Sequence, residues 1–266
     1  NPMKKAVLVV SFGTSYIKAG EKNIDPIEQD IAGALPGWEL RRAYTSSMII
    51  KKLRERDGIQ VDNMRQALKR LREEGYDHIL VQPTHVIPGI EYEGMREDIR
   101  QEENGFGCIA CGLPLLACEE DFDQAANAMV QDVASYYEAG MEIVFMGHGS
   151  DHQANEAYRR LAGKLRERGE RYHIGTVEAK PDLEDVKQSV KNSQSKKVLL
   201  QPLMIVAGDH AHNDMAGEED SWKTCLEEAG FEVTCRLRGM GEIGAIRELF
   251  VSHVRKAAEG IGEKKQ

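Results

Sequence analysis

Val81-Gln82-Pro83-Thr84-His85-Val86-Ile87-Pro88-Gly89-Ile90-Glu91 lies without gaps over Leu200-Gln201-Pro202-Leu203-Met204-Ile205-Val206-Ala207-Gly208-Asp209-His210, at a constant offset of 119 residues. A second pair, Val10-Ser11-Phe12-Gly13-Thr14 and Met146-Gly147-His148-Gly149-Ser150, falls at the matching place earlier in each half. Two matches in corresponding positions point to a duplicated lobe. Under that reading Glu91 is the repeat partner of His210, and Phe12 the partner of His148.

Each half alternates apolar runs with helical patterns. Lys5–Val10, Trp38–Tyr44, His78–Gln82 and Phe106–Leu113 read as strands of the first half. Glu142–Met146, Tyr172–Val177, Lys197–Ile205 and Phe231–Arg236 read as strands of the second. Runs such as Val7-Leu8-Val9-Val10 are apolar throughout, as strands buried on both faces require. Strands separated by helical stretches imply an α/β fold with parallel sheets and right-handed crossovers. Helices are expected from Asp25-Pro26, near 46–56 and 61–75, from Tyr92, and over 120–138. In the second half they are expected near 153–168, 182–191, 218–229 and 243–259. The boundary falls between 118 and 140, giving an N-terminal lobe of residues 1–125 and a C-terminal lobe of 126–266. The last helix is free to pack back on the first lobe.

The chain has 266 residues and a net charge of −9, which excludes a partner held by a general basic field, nucleic acid above all. No apolar stretch approaches the roughly 20 residues that span a bilayer, and the start lacks the features of a signal peptide. Asn1-Pro2 ahead of Met3 reads as a cloning remnant. The expectation is a cytoplasmic protein, with association into a homo-oligomer left open. Five cysteines do not make a disulfide framework in a chain of this length. Cys108 and Cys111 form a C-x-x-C, but on a strand residues three apart face opposite sides, so a structural role is expected.

The chemistry concentrates in the second half. His148, Glu178 and His210 each follow a predicted parallel strand, at spacings of one strand-plus-helix unit. They therefore fall at the carboxyl edge of one sheet, where open α/β sheets place ligands. Adjacent strands lie about 4.8 Å apart, so three such side chains can converge on one ion. Two imidazoles and a carboxylate suit cobalt, iron, nickel or zinc rather than an oxygen-only cation. His152 and His212 are nearby imidazoles expected to act behind this trio. No His-Glu-x-x-His, three-glycine fingerprint or Gly-Lys-Ser/Thr is present, which removes the zinc-protease, dinucleotide and nucleotide-hydrolase readings. Ser11, Thr14 and Ser15 carry hydroxyls at a helix entrance, suited to capping or to binding carboxylates.

Lys4-Lys5-Ala-Val-Leu-Val-Val-Ser-Phe-Gly-Thr-Ser15, Met48–Ile59, Val144-Phe-Met-Gly-His-Gly149 and the long string Pro202–Met215 resemble the anaerobic cobalt chelatases of cobalamin synthesis (CbiK type). The resemblance runs from about residue 3 to 260. It implies two Rossmann-like lobes related by a pseudo-twofold axis, with a cleft between them. It also implies ATP-independent insertion of Co²⁺ into sirohydrochlorin or precorrin-2, with no nucleotide cofactor. Fe²⁺, Ni²⁺ or Zn²⁺ would compete for the metal site. Iron insertion for sirohaem and a non-catalytic tetrapyrrole or metal carrier are the alternatives. The family's metal ligands fall on His148, Glu178 and His210, and its cleft glutamate on Glu91. His148, His210 and Glu91 are thus the expected catalytic set. Ser11, Phe12, Thr14, His85 and Tyr92 are expected to meet the macrocycle, with His85 also assisting proton removal. His212 stands where an apolar residue is expected in the family.

Overall fold

The computed structural model describes residues 3–263, so Asn1 and Pro2 lie outside the described part. The chain divides into two compact units. One runs to Ala117 and resumes at Arg247; the other is Cys118–Ile246.

The first unit follows the order β1 (Lys5–Ser11), α1 (Ile17–Asn23), α2 (Asp25–Ala34), β2 (Glu39–Tyr44), α3 (Ser47–Asp57), α4 (Met64–Glu73), β3 (His78–Pro83), α5 (Ile90–Glu102) and β4 (Cys108–Cys111). The second contains α6 (Glu119–Asp132), α7 (Ala134–Glu138), β5 (Glu142–Gly147), α8 (Glu156–Arg168), β6 (Tyr172–Thr176), α9 (Leu183–Lys191) and β7 (Lys197–Pro202). It continues with a π-helical turn at Ala211–Met215, then α10 (Trp222–Glu228) and β8 (Glu232–Cys235), and α11 (Gly244–Glu263) closes the chain.

Each unit carries a four-stranded parallel sheet, ordered β2-β1-β3-β4 in the first and β6-β5-β7-β8 in the second. The two orders are the same order. The repeat read from residues 81–91 and 200–210 is therefore a repeat of topology, with β3 over β7 and β1 over β5. In each sheet the second strand is covered on both faces: Ala6–Val10 and Ile143–Met146 are at most 1% exposed. That double burial is why these strands are unbroken apolar runs.

Helices bury one stripe each. Met64, Ala67, Leu68 and Leu71 of α4 lie at helical spacing and pack in the first core beside Leu8 and Val81. Asn63 and Gln66 close a capping box at its start. Val186 and Val190 of α9 join the second core with Val144, Leu200 and Trp222.

Several elements differ from their predicted extents. β7 stops at Pro202, not Ile205, because after Leu203 N–H has donated to Met146 C=O the chain bends out of the sheet. β4 shrinks to four residues between Gly107 and Gly112; a Cβ on Gly112 would fall 1.8 Å from Gln82 Oε1. The helix expected over 120–138 breaks at Val133, whose backbone leaves the helical region. Neither α1 nor the π-helical turn is marked in the sequence. α1 has no side-chain cap, and the π turn is held by tertiary packing of Ala211 and Met215.

Phe145 is 1% exposed at the centre of β5. Phe145→Ala is expected to destabilise the second unit by about 3–5 kcal/mol, read as a lowered midpoint in urea unfolding followed by near-ultraviolet circular dichroism.

Candidate metal centre

Past the last residues of β5 the backbone ladder continues. Val177 N–H donates to Gly147 C=O at 3.0 Å, and Glu178 N–H donates to His148 C=O at 2.9 Å. On the other side Leu203 N–H donates to Met146 C=O at 2.8 Å. Parallel pairing thus fixes Glu178 beside His148, and the chain leaving β7 returns His210 to the same edge. His148 Nε2 lies 3.8 Å from Glu178 Oε1. The His148 and His210 rings meet edge to face, with centroids 4.7 Å apart at 79°.

The three side chains predicted at successive strand ends are therefore neighbours. They are open to solvent, at 47%, 57% and 36% exposure for His148, Glu178 and His210. At 3.8 Å the imidazole and carboxylate are not hydrogen-bonded to each other, so both keep lone pairs for an ion. As they stand, no three His, Cys, Asp or Glu side chains among the described residues are arranged to hold a metal ion, this trio included.

The loop around His148 leaves little latitude. A Cβ on Gly147 would meet the Tyr158 ring at 2.6 Å, and one on Gly149 would meet Thr176 at 2.7 Å. Gly149 also has a φ of +84°, open to glycine and costly for other residues. Tyr158, on α8, is buried, and its hydroxyl oxygen takes backbone hydrogen bonds from Gly149 and His148. Burial pushes its pKa to about 12, so it stays a neutral phenol bracing the loop. His148 Nδ1 sits 2.9 Å from Gly149 C=O, and His210 Nδ1 sits 2.6 Å from Asp214 Oδ2. Each imidazole is tied through one nitrogen and free at the other.

The first unit repeats this backbone with different chemistry. Thr45 N–H donates to Ser11 C=O, Ser46 N–H to Phe12 C=O, and Thr84 N–H to Val10 C=O. These bonds correspond one for one to those of Val177, Glu178 and Leu203. Phe12, Ser46 and Glu91 consequently hold the places of His148, Glu178 and His210. Ser46 caps α3 by accepting from Ile49 N–H. Phe12 is 50% exposed, and Glu91 is exposed in the first turn of α5. Two of the three equivalent places thus carry side chains, Phe12 and Ser46, that are not usual metal ligands.

Other predicted residues are placed otherwise. Ser11 is buried and accepts from the Thr84 hydroxyl at 2.8 Å, while the buried Thr14 hydroxyl accepts from Tyr16 N–H. Both hydroxyls hold the turn together, so neither presents itself to a macrocycle. Tyr92 lies on the inner face of α5, in the core, with its hydroxyl accepting from Arg96. Core packing, not ligand contact, is what it does here. His152 caps the turn at Gln153–Asn155 and accepts from Ala154 N–H. His212 stands exposed on the π-helical turn.

His85 is the anomaly. Both ring nitrogens are buried and lack a hydrogen-bond partner among the described residues. Burial pulls its pKa to about 4. It is therefore neutral near neutral pH and a weak proton acceptor, against the role expected of it.

Cys108 and Cys111 are free thiols on β4. Burial raises the Cys111 pKa to about 12, which leaves a thiol and not a metal-binding thiolate. A basin of about 770 Å³ lies at the opposite, amino edge of the second sheet. Its buried Glu142 is already paired with His173 at 3.1 Å and Arg171 at 3.3 Å. The sequence did not single out Tyr158 or Asp214. Asp214 stands four residues after His210, a helical spacing that would have exposed the pair had a helix been expected there.

The family model for cobalt chelatase (CbiK) matches residues 5–259. A sirohydrochlorin cobaltochelatase of Salmonella typhimurium is 43% identical over 256 residues, covering 96% of this chain and 97% of that protein. The sirohydrochlorin cobaltochelatase CbiKC of Nitratidesulfovibrio vulgaris is 31% identical, covering 98% and 93%. Among solved structures, SirB from Bacillus subtilis with Fe³⁺ superposes with a TM-score of 0.67 at 16% identity, covering 98% of both chains, which is a likeness of fold.

The His85 site yields a stability prediction. Its folded pKa lies below the ordinary value near 6.5, so the unfolded chain takes up this proton first as pH falls. The associated stability is complete above pH 6.5 and drains away toward pH 4. His85→Met, the residue at the repeat-equivalent Met204, is expected to flatten the stability–pH curve over that range by about 3 kcal/mol. Urea unfolding at a series of pH values measures it; parallel curves for the two proteins would show that the imidazole is not held neutral.

Proposed function

The chain belongs to the cobalt chelatase (CbiK) family, and on that premise we propose that it inserts Co²⁺ into sirohydrochlorin without ATP, with His148, Glu178 and His210 handing over the metal. The observation that carries the reading is their convergence: two imidazole rings 4.7 Å apart and a carboxylate 3.8 Å from one of them, all open to solvent.

The residue types fit metal transfer. A mixed nitrogen and oxygen set with open positions holds a divalent transition ion without enclosing it. A closed thiolate site would bind and keep it. Fe²⁺, Ni²⁺ and Zn²⁺ share this ligand chemistry, so selectivity for cobalt rests on more than the donor atoms.

Metallation also releases two pyrrole N–H protons. Glu91 is assigned to accept them one at a time, releasing the first to solvent before taking the second, because it is the ionisable member of the first unit's equivalent set and stands exposed at the start of α5. Phe12, half-exposed at the end of β1, is assigned to pack on the flat macrocycle. No helix among the described residues is long and apolar enough to cross a membrane. Work in the cytoplasm accords with that and with the free thiols of Cys108 and Cys111.

His210→Ala is expected to lower the rate of cobalt insertion by roughly two orders of magnitude while the circular dichroism spectrum stays as in the parent. Absorbance of sirohydrochlorin with Co²⁺ and Fe²⁺, followed side by side, measures it. A parental rate in the folded variant would remove His210 from the site, and no acceleration by the parent protein would end the chelatase reading.

A further inference from the structure

His210 and Asp214 form the shortest polar contact at the metal centre. Nδ1 and Oδ2 are 2.6 Å apart, at the short end for a nitrogen donor on a carboxylate. The segment that pairs them is rigidly determined. His212 N–H donates to Gly208 C=O, and Ala216 N–H reaches back to Ala211 C=O across the π-helical turn. Gly217 N–H then donates to Asn213 C=O, at a place where a Cβ on Gly217 would come within 2.5 Å of that oxygen. A second side-chain pair with the same spacing, Asn213 to Asp209 at 2.8 Å, braces the outer side.

A carboxylate only accepts, so the proton between the two belongs to Nδ1 of His210. That choice leaves Nε2 with its lone pair, which is the form a metal or a departing pyrrole proton needs. His148 reaches the same state through the Gly149 carbonyl, an uncharged acceptor. The two imidazoles are therefore unequal donors, and His210 has the charged partner.

On the reading of His210 as a metal ligand, we infer that Asp214 is a positioning residue for metal transfer: it holds His210 in the Nδ1–H tautomer, fixes the ring, and makes it the stronger donor of the pair. Asp214 itself touches neither metal nor macrocycle on this account. Outer carboxylates of this kind change metal affinity roughly 10- to 100-fold when removed.

Two measurements test the inference. In metal-free protein labelled with ¹⁵N-histidine, in mildly alkaline buffer, His210 is expected to show a pyrrole-type Nδ1 and a pyridine-type Nε2. Asp214→Ala should mix the tautomers. An Nε2–H tautomer in the parent, or an unchanged spectrum in the variant, would overturn the proposal. In calorimetry with Co²⁺ alone, Asp214→Ala is expected to weaken binding roughly 10- to 100-fold and Asp214→Glu to recover most of the loss. In turnover the same variant should lower kcat and leave the KM for sirohydrochlorin unchanged. Equal losses in the Ala and Glu variants, or an effect confined to KM, would assign Asp214 a merely structural part. The spectrum and the Co²⁺ titration need no turnover, so failure of the insertion reading and failure of this inference appear in different experiments.

Discussion

The gathering of His148, Glu178 and His210 depends first on two backbone hydrogen bonds where β5 and β6 end, from Val177 to Gly147 and from Glu178 to His148. A parallel ladder fixes register, and register decides which side chains become neighbours. A slip of one residue would put Glu178 on the other face and leave His148 without a carboxylate. The bonds hold because β5 beneath them is buried along its whole length, and because Gly147 and Gly149 let Tyr158 and Thr176 close around the loop. Core packing thus sets the spacing of the three side chains.

The duplication shows how little of that arrangement is specific to metal. The first unit makes the same three backbone bonds at the ends of β1, β2 and β3 but carries Phe12, Ser46 and Glu91 at the ligand places. One scaffold thus supports two surfaces. The second unit offers two imidazoles and a carboxylate, and the first offers an exposed ring and a single carboxylate. Two copies of one edge thus carry different side chains without a change of fold.

Much of this was legible in the sequence. Unbroken apolar runs marked the buried strands, and the constant offset between residues 81–91 and 200–210 carried the topology. The meeting of His148, Glu178 and His210 at one sheet edge followed because strand ends are predictable even when helix ends are not. What escaped was set by tertiary context. Ser11 and Thr14 look like donors for a ligand, but burial turned their hydroxyls inward to the turn. Tyr92 follows Glu91 directly, yet helical geometry rotates it into the core. His85 sits in the decisive stretch, and nothing in its neighbours foretells that both ring nitrogens would be buried unbonded. Asp214 was hidden because the π-helical turn has no sequence signal of its own; it is set by the burial of Ala211 and Met215 together with backbone bonds such as Ala216 N–H to Ala211 C=O.

The claim on which the rest stands is that a divalent ion is held by His148, Glu178 and His210 with coordination positions to spare. X-ray absorption at the cobalt edge of the Co²⁺-loaded protein addresses it directly. The account predicts a shell of nitrogen and oxygen neighbours at about 2.0–2.2 Å, including the multiple-scattering signature of two imidazoles, and no sulfur. An oxygen-only shell, or sulfur at about 2.3 Å, would contradict it.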